Sequence, residues 1–571
     1  MDTKKIKIEI NSFSNKIKKL YKTLTPEKVM AFWFLISVGI ILLFSAVLVL
    51  NQKITKVIPT LGGSINEGII GTPRFINPVL ASTDQDNDLT TLVFAGLTKR
   101  DETGSVILDM AEKIDTSNDN LHYDVTIKED AEFHDGKKVT SDDIIYTISL
   151  IQNSLIKSPH KVEFEGVTIE KKTDRELIFS LKKPYPLFMN VLSIGILPKH
   201  VWKNLNDDQF SLSDYNINAI GSGPFMISDV KRDSGIPVSI SLKSFKNYTL
   251  HRPYLDEINI FAYQNEKYLL QAYDNGDIDR IHGITPEKVK SLSIPENKIQ
   301  TSLLPRTITI FFNPNKADFL SDKNIRLALN LAINKDSIVK NVLNGYGKII
   351  NSPYPFEEGN TDNTYQVEEA KKTLSDSKYF KKKDSKISLN LATVNTDEMK
   401  KTAEMIKKYW EEIGIETNIS VYEPSDLNQS IIKDRNFQVL LFGSITSTPA
   451  DLYAFWHSSQ RNYPGLNISN YASQKLDKQL EVLREDGDEL DRIDAYENVK
   501  KEWEEETPSI FLYAPKMIYV VTDKIKTILP KNSFDNSDRF LLAEYWYKNT
   551  ERVWLKTDYE PIIKKIEWFI H

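Results

Sequence analysis

The sequence predicts a mixed α/β protein of two lobes, held to a membrane by one N-terminal helix. Three observations lead to this prediction. Residues 29–50 form an apolar run without charge, residues 387–421 show a strand–helix–strand pattern, and the first half carries more strand patterns than the second. A chain of 571 residues also exceeds one ordinary hydrophobic core, so two or three domains are expected.

The N-terminal helix is predicted over 29–50. At 1.5 Å per residue this run spans roughly 33 Å, slightly more than a bilayer core of about 30 Å. Residues 1–28 carry eight lysines against three acidic residues, which places this tail in the cytoplasm and the large domain outside. No small-residue cleavage pattern follows, so we predict an uncleaved single-pass anchor rather than a signal peptide, with 51–63 as a short tether.

Composition excludes several function classes. The net charge is -6, which argues against a nucleic-acid partner. The chain has no cysteine, and therefore no disulfide, thiolate metal site or cysteine nucleophile. Its eight histidines form no H-E-x-x-H pattern, and the sequence contains neither G-x-S-x-G nor a Walker A motif. We expect no catalytic residue, no metal and no cofactor.

The clearest local architecture lies in the second half. Apolar residues alternate over 387–393 and over 415–421, which predicts two strands. Between them, Asp397 can cap a helix that ends at Gly414. Such a unit pairs its strands in parallel through a right-handed crossover. Residues 325–343 predict two successive helices.

The first half is richer in strands. Strand patterns occur at 238–242, 258–262 and 307–312. The contrast between the halves suggests two lobes with a cleft between them, and ligand sites favour such domain interfaces.

The most informative segment is 133–146, Phe-His-Asp-Gly-Lys-Lys-Val-Thr-Ser-Asp-Asp-Ile-Ile-Tyr. It follows an alternating strand. Asp135-Gly136 is a turn dipeptide, and Thr140 with Asp143 forms the pattern of a helix capping box. Every residue of the segment can be explained by the fold alone.

This segment and other motifs, in the same order, resemble the family 5 solute-binding proteins, which capture peptides or nickel chelates for ABC importers. The resemblance covers about residues 64–545. The other motifs are Gly71-Thr-Pro-Arg-Phe-Ile-Asn-Pro78, Phe94-Ala-Gly-Leu97, Gly221-Ser-Gly-Pro-Phe225, Phe245-Lys-Asn-Tyr248, Asn275-Gly-Asp-Ile-Asp279, Ile325-Arg-Leu-Ala-Leu329 and Asn467-Ile-Ser-Asn-Tyr471.

The resemblance implies a two-lobed periplasmic-binding-protein-like clamp of type II, in the large peptide-binding class. Lobe I would span 64–285, lobe II would span 286–515, and 516–571 would return to lobe I. A monomeric body would enclose an oligopeptide or small solute and deliver it to ABC permease and ATPase subunits. A nickel chelate as ligand, or an anchored sensor that feeds no permease, stays open as an alternative.

The resemblance also implies where a ligand would bind. Peptide-binding members use an Asp, usually in an Asp-Pro pair, for the α-amino group of the peptide. The corresponding segment 447–458 has no Asp-Pro. Asp451 is the candidate and Thr448 the alternative in another register; Asp451 can equally cap the following helix.

Further candidates have structural alternatives of their own. Gly443, followed by Ser444, could admit a ligand backbone or simply turn the chain. Trp456 could line the pocket or pack in the core. Gly71 and Thr72 are candidates from lobe I, and His457 would be the residue to meet a metal chelate.

Overall fold

The computed structural model describes residues 25–554 except 186, 293, 358–364, 381–386, 485–488 and 523–524. The chain forms two compact units. One combines Met1–Thr60 with Asn549–His571, and the other is Leu61–Lys548. Most of the predicted cytoplasmic tail, residues 1–24, and the C-terminal residues 555–571 lie outside the described residues.

The strands are numbered here in chain order. They are β1 Thr55–Thr60, β2 Ser64–Ile70, β3 Thr98–Arg100, β4 Val106–Leu108, β5 Ala111–Thr116, β6 His122–Ile127, β7 Thr168–Lys171, β8 Glu176–Ser180, β9 Phe225–Asp233, β10 Ile236–Ser244, β11 Glu257–Tyr263, β12 Arg280–His282, β13 Ile299–Leu303, β14 Arg306–Phe312, β15 Gly347–Ile349, β16 Ser388–Val394, β17 Glu416–Tyr422, β18 Val439–Ile445, β19 Ser509–Val520 and β20 Asn549–Trp554.

The α-helices are cited by their residue ranges. They are Pro26–Ile54, Asp84–Val93, Ser141–Gln152, Phe188–Val191, Lys199–Trp202, Asp207–Phe210, Glu266–Asn275, Pro286–Ser291, Lys323–Leu331, Lys335–Val342, Val367–Asp376, Asp397–Glu412, Pro424–Asp426, Leu452–Trp456, Gln474–Arg484 and Glu489–Glu506.

In the smaller unit, helix Pro26–Ile54 contains the predicted span 29–50 and extends beyond it at both ends. Its segment Pro26–Ser45 has a mean hydropathy of 2.1, and none of it is buried against the described residues. Among the described residues it is the one helix long and apolar enough to cross a membrane. Anchors and signal sequences both have this property.

The predicted tether 51–63 is more ordered than expected. The helix continues to Ile54, and β1 then pairs antiparallel with β20, so that Thr55 lies opposite Trp554 and Thr60 opposite Asn549. The sequence did not indicate this ribbon, because a short strand whose partner comes from the other end of the chain leaves no local signal.

The larger unit is built on a twelve-stranded mixed sheet. Ten strands follow the order β17-β16-β18-β14-β19-β12-β2-β11-β10-β9, and β13 and β15 pair with β19 beside this path. The long β19 connects the strands β17-β16-β18-β14 on one side to the strands β12-β2-β11-β10-β9 on the other. Its first residues pair with β14 and its last with β12 and β13. A separate four-stranded sheet has the order β5-β6-β8-β7.

The predicted strand–helix–strand unit is confirmed, but its helix is capped by Thr396, whose hydroxyl accepts from the Met399 amide, and not by Asp397. β16 and β17 pair in parallel and are joined by helix Asp397–Glu412. Gly414 follows with φ of 86°, a left-handed conformation that favours glycine after a helix. The two predicted successive helices are also present, as Lys323–Leu331 and Lys335–Val342.

The hydrophobic core is divided into clusters. Residues from 65–260 and 519–546 form the first. Two others draw on 303–514, and a fourth combines 269–299 with Ile518 and Val520. The predicted lobe boundary between 285 and 286 therefore falls inside the fourth cluster.

The segment 133–146 has a structural role in the fold. Thr140 and Asp143 form the predicted capping box. His134 ties this segment to the Gly221–Gly223 turn, because its Nδ1 accepts from the Gly221 amide (3.3 Å) while its Nε2 lies 3.0 Å from the Gly223 carbonyl oxygen. These contacts require the neutral ring, and burial lowers the pKa of His134 to about 4.

Candidate functional site

The candidate site begins where β18 ends. Gly443 and Ser444 lie in the second half of this strand, opposite Ile308 and Thr307 of β14. A side chain added at Gly443 would come within 3.3 Å of the Ile308 Cδ1 atom, and the Ser444 Oγ lies 2.9 Å from the Thr307 Oγ1. Both residues therefore contact the neighbouring strand.

The chain then turns through 446–451. Pro449–Asp451 forms one turn of 3-10 helix ahead of helix Leu452–Trp456. The Asp451 Oδ2 atom accepts hydrogen bonds from the Ser447 amide (2.8 Å) and the Thr448 amide (2.9 Å). Burial raises the pKa of Asp451, although these amide hydrogen bonds oppose the shift. Asp451 thus closes the turn as the third residue of a capping box whose N-cap is Thr448, and its side chain makes no cap bond to helix Leu452–Trp456. Its ligand role stays a prediction.

A cavity of about 390 Å³ opens on this turn, within the range of small-ligand pockets. Thr448, Pro449 and Ala450 form one wall. The described residues that complete the lining are Leu187, Tyr354, Glu357, Leu483, Arg492, Ile493, Tyr496, Glu497 and Lys500.

Leu187 comes from the first half of the chain, so the cavity joins segments that are far apart in sequence. Tyr185 lies close by, and its pKa is raised to about 12 by burial and, further, by the charges of Glu163 and Asp451. Tyr185 and Leu187, from the first half of the chain, therefore lie near the turn that follows β18.

The polar side of the cavity carries an ion pair. The Lys500 Nζ lies 2.6 Å from the Glu357 Oε1, and the Tyr496 hydroxyl donates to the Glu357 Oε2 (3.0 Å). Burial and the Glu357 charge raise the pKa of Tyr496 above its ordinary value, so its hydroxyl stays protonated. Burial and the Asp451 charge do the same for the pKa of Tyr354. The wall therefore combines paired charges with neutral phenol groups.

The structure places Trp456 in the core and not on the cavity wall. It is 2 % exposed, its ring stacks on Phe311 at 6.1 Å between centroids, and it meets Trp503 edge-on at 5.4 Å. Trp456 therefore packs in the core, which is the alternative considered for it, and does not line this cavity. An aromatic residue in a short helix has the same sequence pattern in either role.

His457 lies beside this core cluster and is also buried. Its Nδ1 contacts the Ser459 Oγ (2.8 Å), and its Nε2 lies 3.5 Å from the Glu481 Oε1 and 3.8 Å from the Asp477 Oδ1. Across the described part of the chain, no group of three metal-ligating side chains could hold an ion.

The motif at 467–471 forms hydrogen bonds to the end of helix Leu452–Trp456, which follows the turn. The Asn467 Nδ2 donates to the carbonyl oxygens of Trp456 (3.1 Å), His457 (3.2 Å) and Tyr471 (2.9 Å). One buried amide side chain thus holds the C-terminal end of helix Leu452–Trp456. The motif supports the site without lining it.

Gly71 and Thr72 follow β2. The Gly71 amide donates to the Tyr263 carbonyl oxygen (2.7 Å), and its φ of 89° favours glycine. Neither residue lines the cavity described above. Their ligand contact, like that of Gly443 and Ser444, stays a prediction.

Sequence reasoning missed most of the lining. Leu187, Tyr354, Tyr496 and Lys500 belong to no motif, and more than one hundred residues separate the first three. Only Thr448 was singled out, as the alternative register to Asp451. No sequence signal marks the others, because the fold alone brings them together.

The comparisons with known proteins agree with this architecture. The family model of the bacterial extracellular solute-binding proteins, family 5 Middle, matches residues 105–464. The chain belongs to this family. The resemblance read from the motifs and the predicted α/β fold class are thereby confirmed.

Individual relatives within family 5 differ in what they bind. The chain is 28% identical to the oligopeptide-binding protein AppA of Bacillus subtilis over 509 residues, covering 85% of this chain and 93% of AppA. It is 22% identical to the nickel-binding protein NikA of Staphylococcus aureus over 439 residues, covering 75% and 84%. A solved structure of AppA with a nonapeptide has a TM-score of 0.63 and 26% identity, covering 86% of this chain and 100% of AppA.

Proposed function

We propose that this protein is the extracytoplasmic substrate-binding component of an ABC importer and that it captures short peptides without a cofactor. Membership of family 5 supports the transport role, and the similarity to AppA favours peptides. The observation that carries the proposal is the cavity at which Leu187 meets the turn Thr448–Ala450.

In this proposal lobe I comprises 64–285 with the C-terminal return 516–571, and lobe II comprises 286–515. The ligand lies between them. Thr448, Tyr354 and Tyr496 contact it, and Asp451 holds the turn in place. The aromatic and aliphatic walls suit apolar side chains, and hydroxyl groups offer hydrogen bonds to a peptide backbone. The protein acts by binding and not by catalysis.

The membrane part of the proposal is an uncleaved anchor. The run 29–50 of helix Pro26–Ile54 crosses the bilayer once, the tail 1–28 stays in the cytoplasm, and a monomeric body faces outward. The lysine-rich tail supports this orientation. The absence of a cleavage pattern supports retention of the helix as an anchor.

The test is calorimetry on the full-length protein in detergent, titrated with mixtures of di- to decapeptides and separately with a nickel–histidine chelate. We expect a saturable heat with peptides and none with the chelate. Tight binding of the chelate with no response to peptides would favour the nickel alternative. Mass spectrometry of ligand released by denaturing the purified protein gives an independent answer.

A further inference from the structure

The charged side chains that line the cavity at the turn Thr448–Ala450 balance one another. Among the described lining residues, Glu357 and Glu497 are acidic, and Arg492 and Lys500 are basic. The Lys500 Nζ lies 2.6 Å from the Glu357 Oε1 and 2.7 Å from the Glu497 Oε1. The Ser352 hydroxyl donates to the Glu357 Oε2 (2.9 Å). A charged group of a ligand would have to compete with these existing partners.

Two half-buried tyrosines give the cavity an aromatic wall. The rings of Tyr354 and Tyr496 meet edge-on, with 6.0 Å between their centroids. The Tyr496 hydroxyl is already donated to Glu357 (3.0 Å), so what Tyr496 offers to a ligand is mainly its ring. Aromatic rings accept further aromatic or aliphatic groups through edge-to-face and offset contacts. This wall therefore favours an apolar group over a charged one.

Ile493 is the most exposed apolar residue of the described cavity wall. It is 52 % exposed, whereas Leu483, which lines the same cavity from the preceding helix, is 3 % exposed. Leu187 adds a half-buried apolar side chain from the first half of the chain. The volume of about 390 Å³ leaves room for a large side chain. An apolar side chain in the cavity would remove Ile493 from water, which is favourable.

We infer that this cavity binds one bulky apolar side chain of the captured peptide, aromatic or branched aliphatic, and that Ile493 sets this preference. A glutamate or lysine side chain of the peptide would lose its hydration and would meet charged groups that are already paired. The inference rests on the proposed function, because the occupant is a side chain of the peptide proposed there.

The test is calorimetry on the full-length protein in detergent. The probes are peptides of alanine and serine, of the length that binds most tightly in the titrations proposed above, with phenylalanine, alanine, glutamate or lysine placed at each position in turn. Ile493→Ser tests the wall. Leu490→Ser is its matched control, because Leu490 lies on the same helix and is 68 % exposed but is not among the described lining residues. One detergent serves all proteins, so partition of peptide into micelles cancels between variants.

We expect one position at which phenylalanine raises the wild-type affinity at least about tenfold over alanine, whereas glutamate and lysine do not raise it. Ile493→Ser should lower this preference by about threefold or more, and Leu490→Ser should leave it unchanged. Ile493→Lys should strengthen binding of the glutamate peptide by about threefold, which a misfolded protein could not do.

The outcomes separate the inference from the proposed function. Peptides that bind without a preference for phenylalanine at any position, or with a preference that Ile493→Ser leaves intact, would overturn the inference and leave peptide capture standing. A preference for glutamate or lysine over phenylalanine would overturn it in favour of recognition by the charged lining residues. Wild-type protein that gives no heat with any peptide would overturn the proposed function itself.

Discussion

We expect substitutions at Thr448 and at Asp451 to differ in their effect on peptide affinity. An asparagine at 451 can still accept from the Ser447 and Thr448 amides, so Asp451→Asn should change peptide affinity by less than about threefold. Thr448→Val keeps the shape but removes the hydroxyl group of the capping box in the turn that lines the cavity, and should weaken binding by about tenfold, or about 1.4 kcal/mol. Calorimetry with one peptide measures both.

The opposite result would restore the role first expected for Asp451. If Asp451→Asn weakened binding by about 30-fold or more while Thr448→Val had no effect, the carboxylate would be the partner of the peptide ammonium group. N-acetylated peptide serves as the control, because blocking the amino group should abolish that difference.

His134 predicts a pH dependence of stability. Its pKa in the fold is about 4, below the ordinary value of 6.5, so the unfolded chain binds a proton first as the pH falls. The stability that the neutral ring supports is present above about pH 6.5 and is lost progressively towards pH 4. The shift from 6.5 to about 4 corresponds to a loss of about 1–3 kcal/mol.

The variant His134→Gln isolates this contribution. The free energies of unfolding of wild type and variant, measured with urea, should lie closer together at pH 5 than at pH 7. Only the folded wild type holds a buried neutral histidine, so only the wild type loses stability as this histidine becomes protonated in the unfolded chain. A difference in unfolding free energy that is the same at both pH values would contradict the prediction.

At the scale of elements, the turn Gly221–Gly223 packs directly on the end of helix Asp84–Val93. A Cβ atom at Gly221 would lie 2.0 Å from the Val93 carbonyl oxygen, so the backbone would have to move. We expect Gly221→Ala to lower the free energy of unfolding by about 3 kcal/mol or more, in the range of severe overpacking.

Gly276 provides the matched control. It ends helix Glu266–Asn275 with φ of 80°, but an added side chain meets no atom within 4 Å. Gly276→Ala should cost only about 1–2 kcal/mol, the price of a left-handed alanine. Equal losses in the two variants, measured by urea unfolding, would contradict the prediction, because Gly221 has no left-handed φ and its loss should come from the close approach alone.

Elements coded by neighbouring residues were predictable. The unit β16, helix Asp397–Glu412 and β17 could be read from alternation, a capping signal that was one residue off and Gly414, because each signal is local to the element that it bounds. The β1–β20 ribbon could not, since its strands come from opposite ends of the chain. The cavity shows the same limit: Thr448 belongs to a readable segment, whereas Tyr354 and Tyr496 acquire a role only through distant contacts.

At the scale of the whole molecule, one buried ion cluster ties the C-terminal segment to the first half of the chain. The Arg539 guanidinium contacts Asp88 in a bidentate pair at 2.5 and 2.6 Å and reaches the Glu67 Oε1 at 2.9 Å. Arg539 and Glu67 are fully buried. Burial alone disfavours the charge, but Asp88 and Glu67 hold the pKa of Arg539 above its ordinary value. Ionic contacts as well as apolar contacts therefore hold the C-terminal segment 519–546 in the first hydrophobic cluster.

Removal of the guanidinium should be costly, because it leaves two carboxyl groups buried without a cation. Arg539→Met fills similar space and should lower the unfolding free energy by about 3–5 kcal/mol at pH 7. The loss should be smaller at pH 5, where the abandoned carboxylates can take up protons more readily than at pH 7 and so avoid buried charge. Arg175→Met is the control, since its ion pair with Glu112 is largely exposed and should contribute less than about 1 kcal/mol. Urea unfolding of both variants at pH 5 and pH 7 measures these differences. A loss at Arg539 no larger than that at Arg175 would mean that the apolar contacts of 519–546 hold the C-terminal segment without help from the cluster.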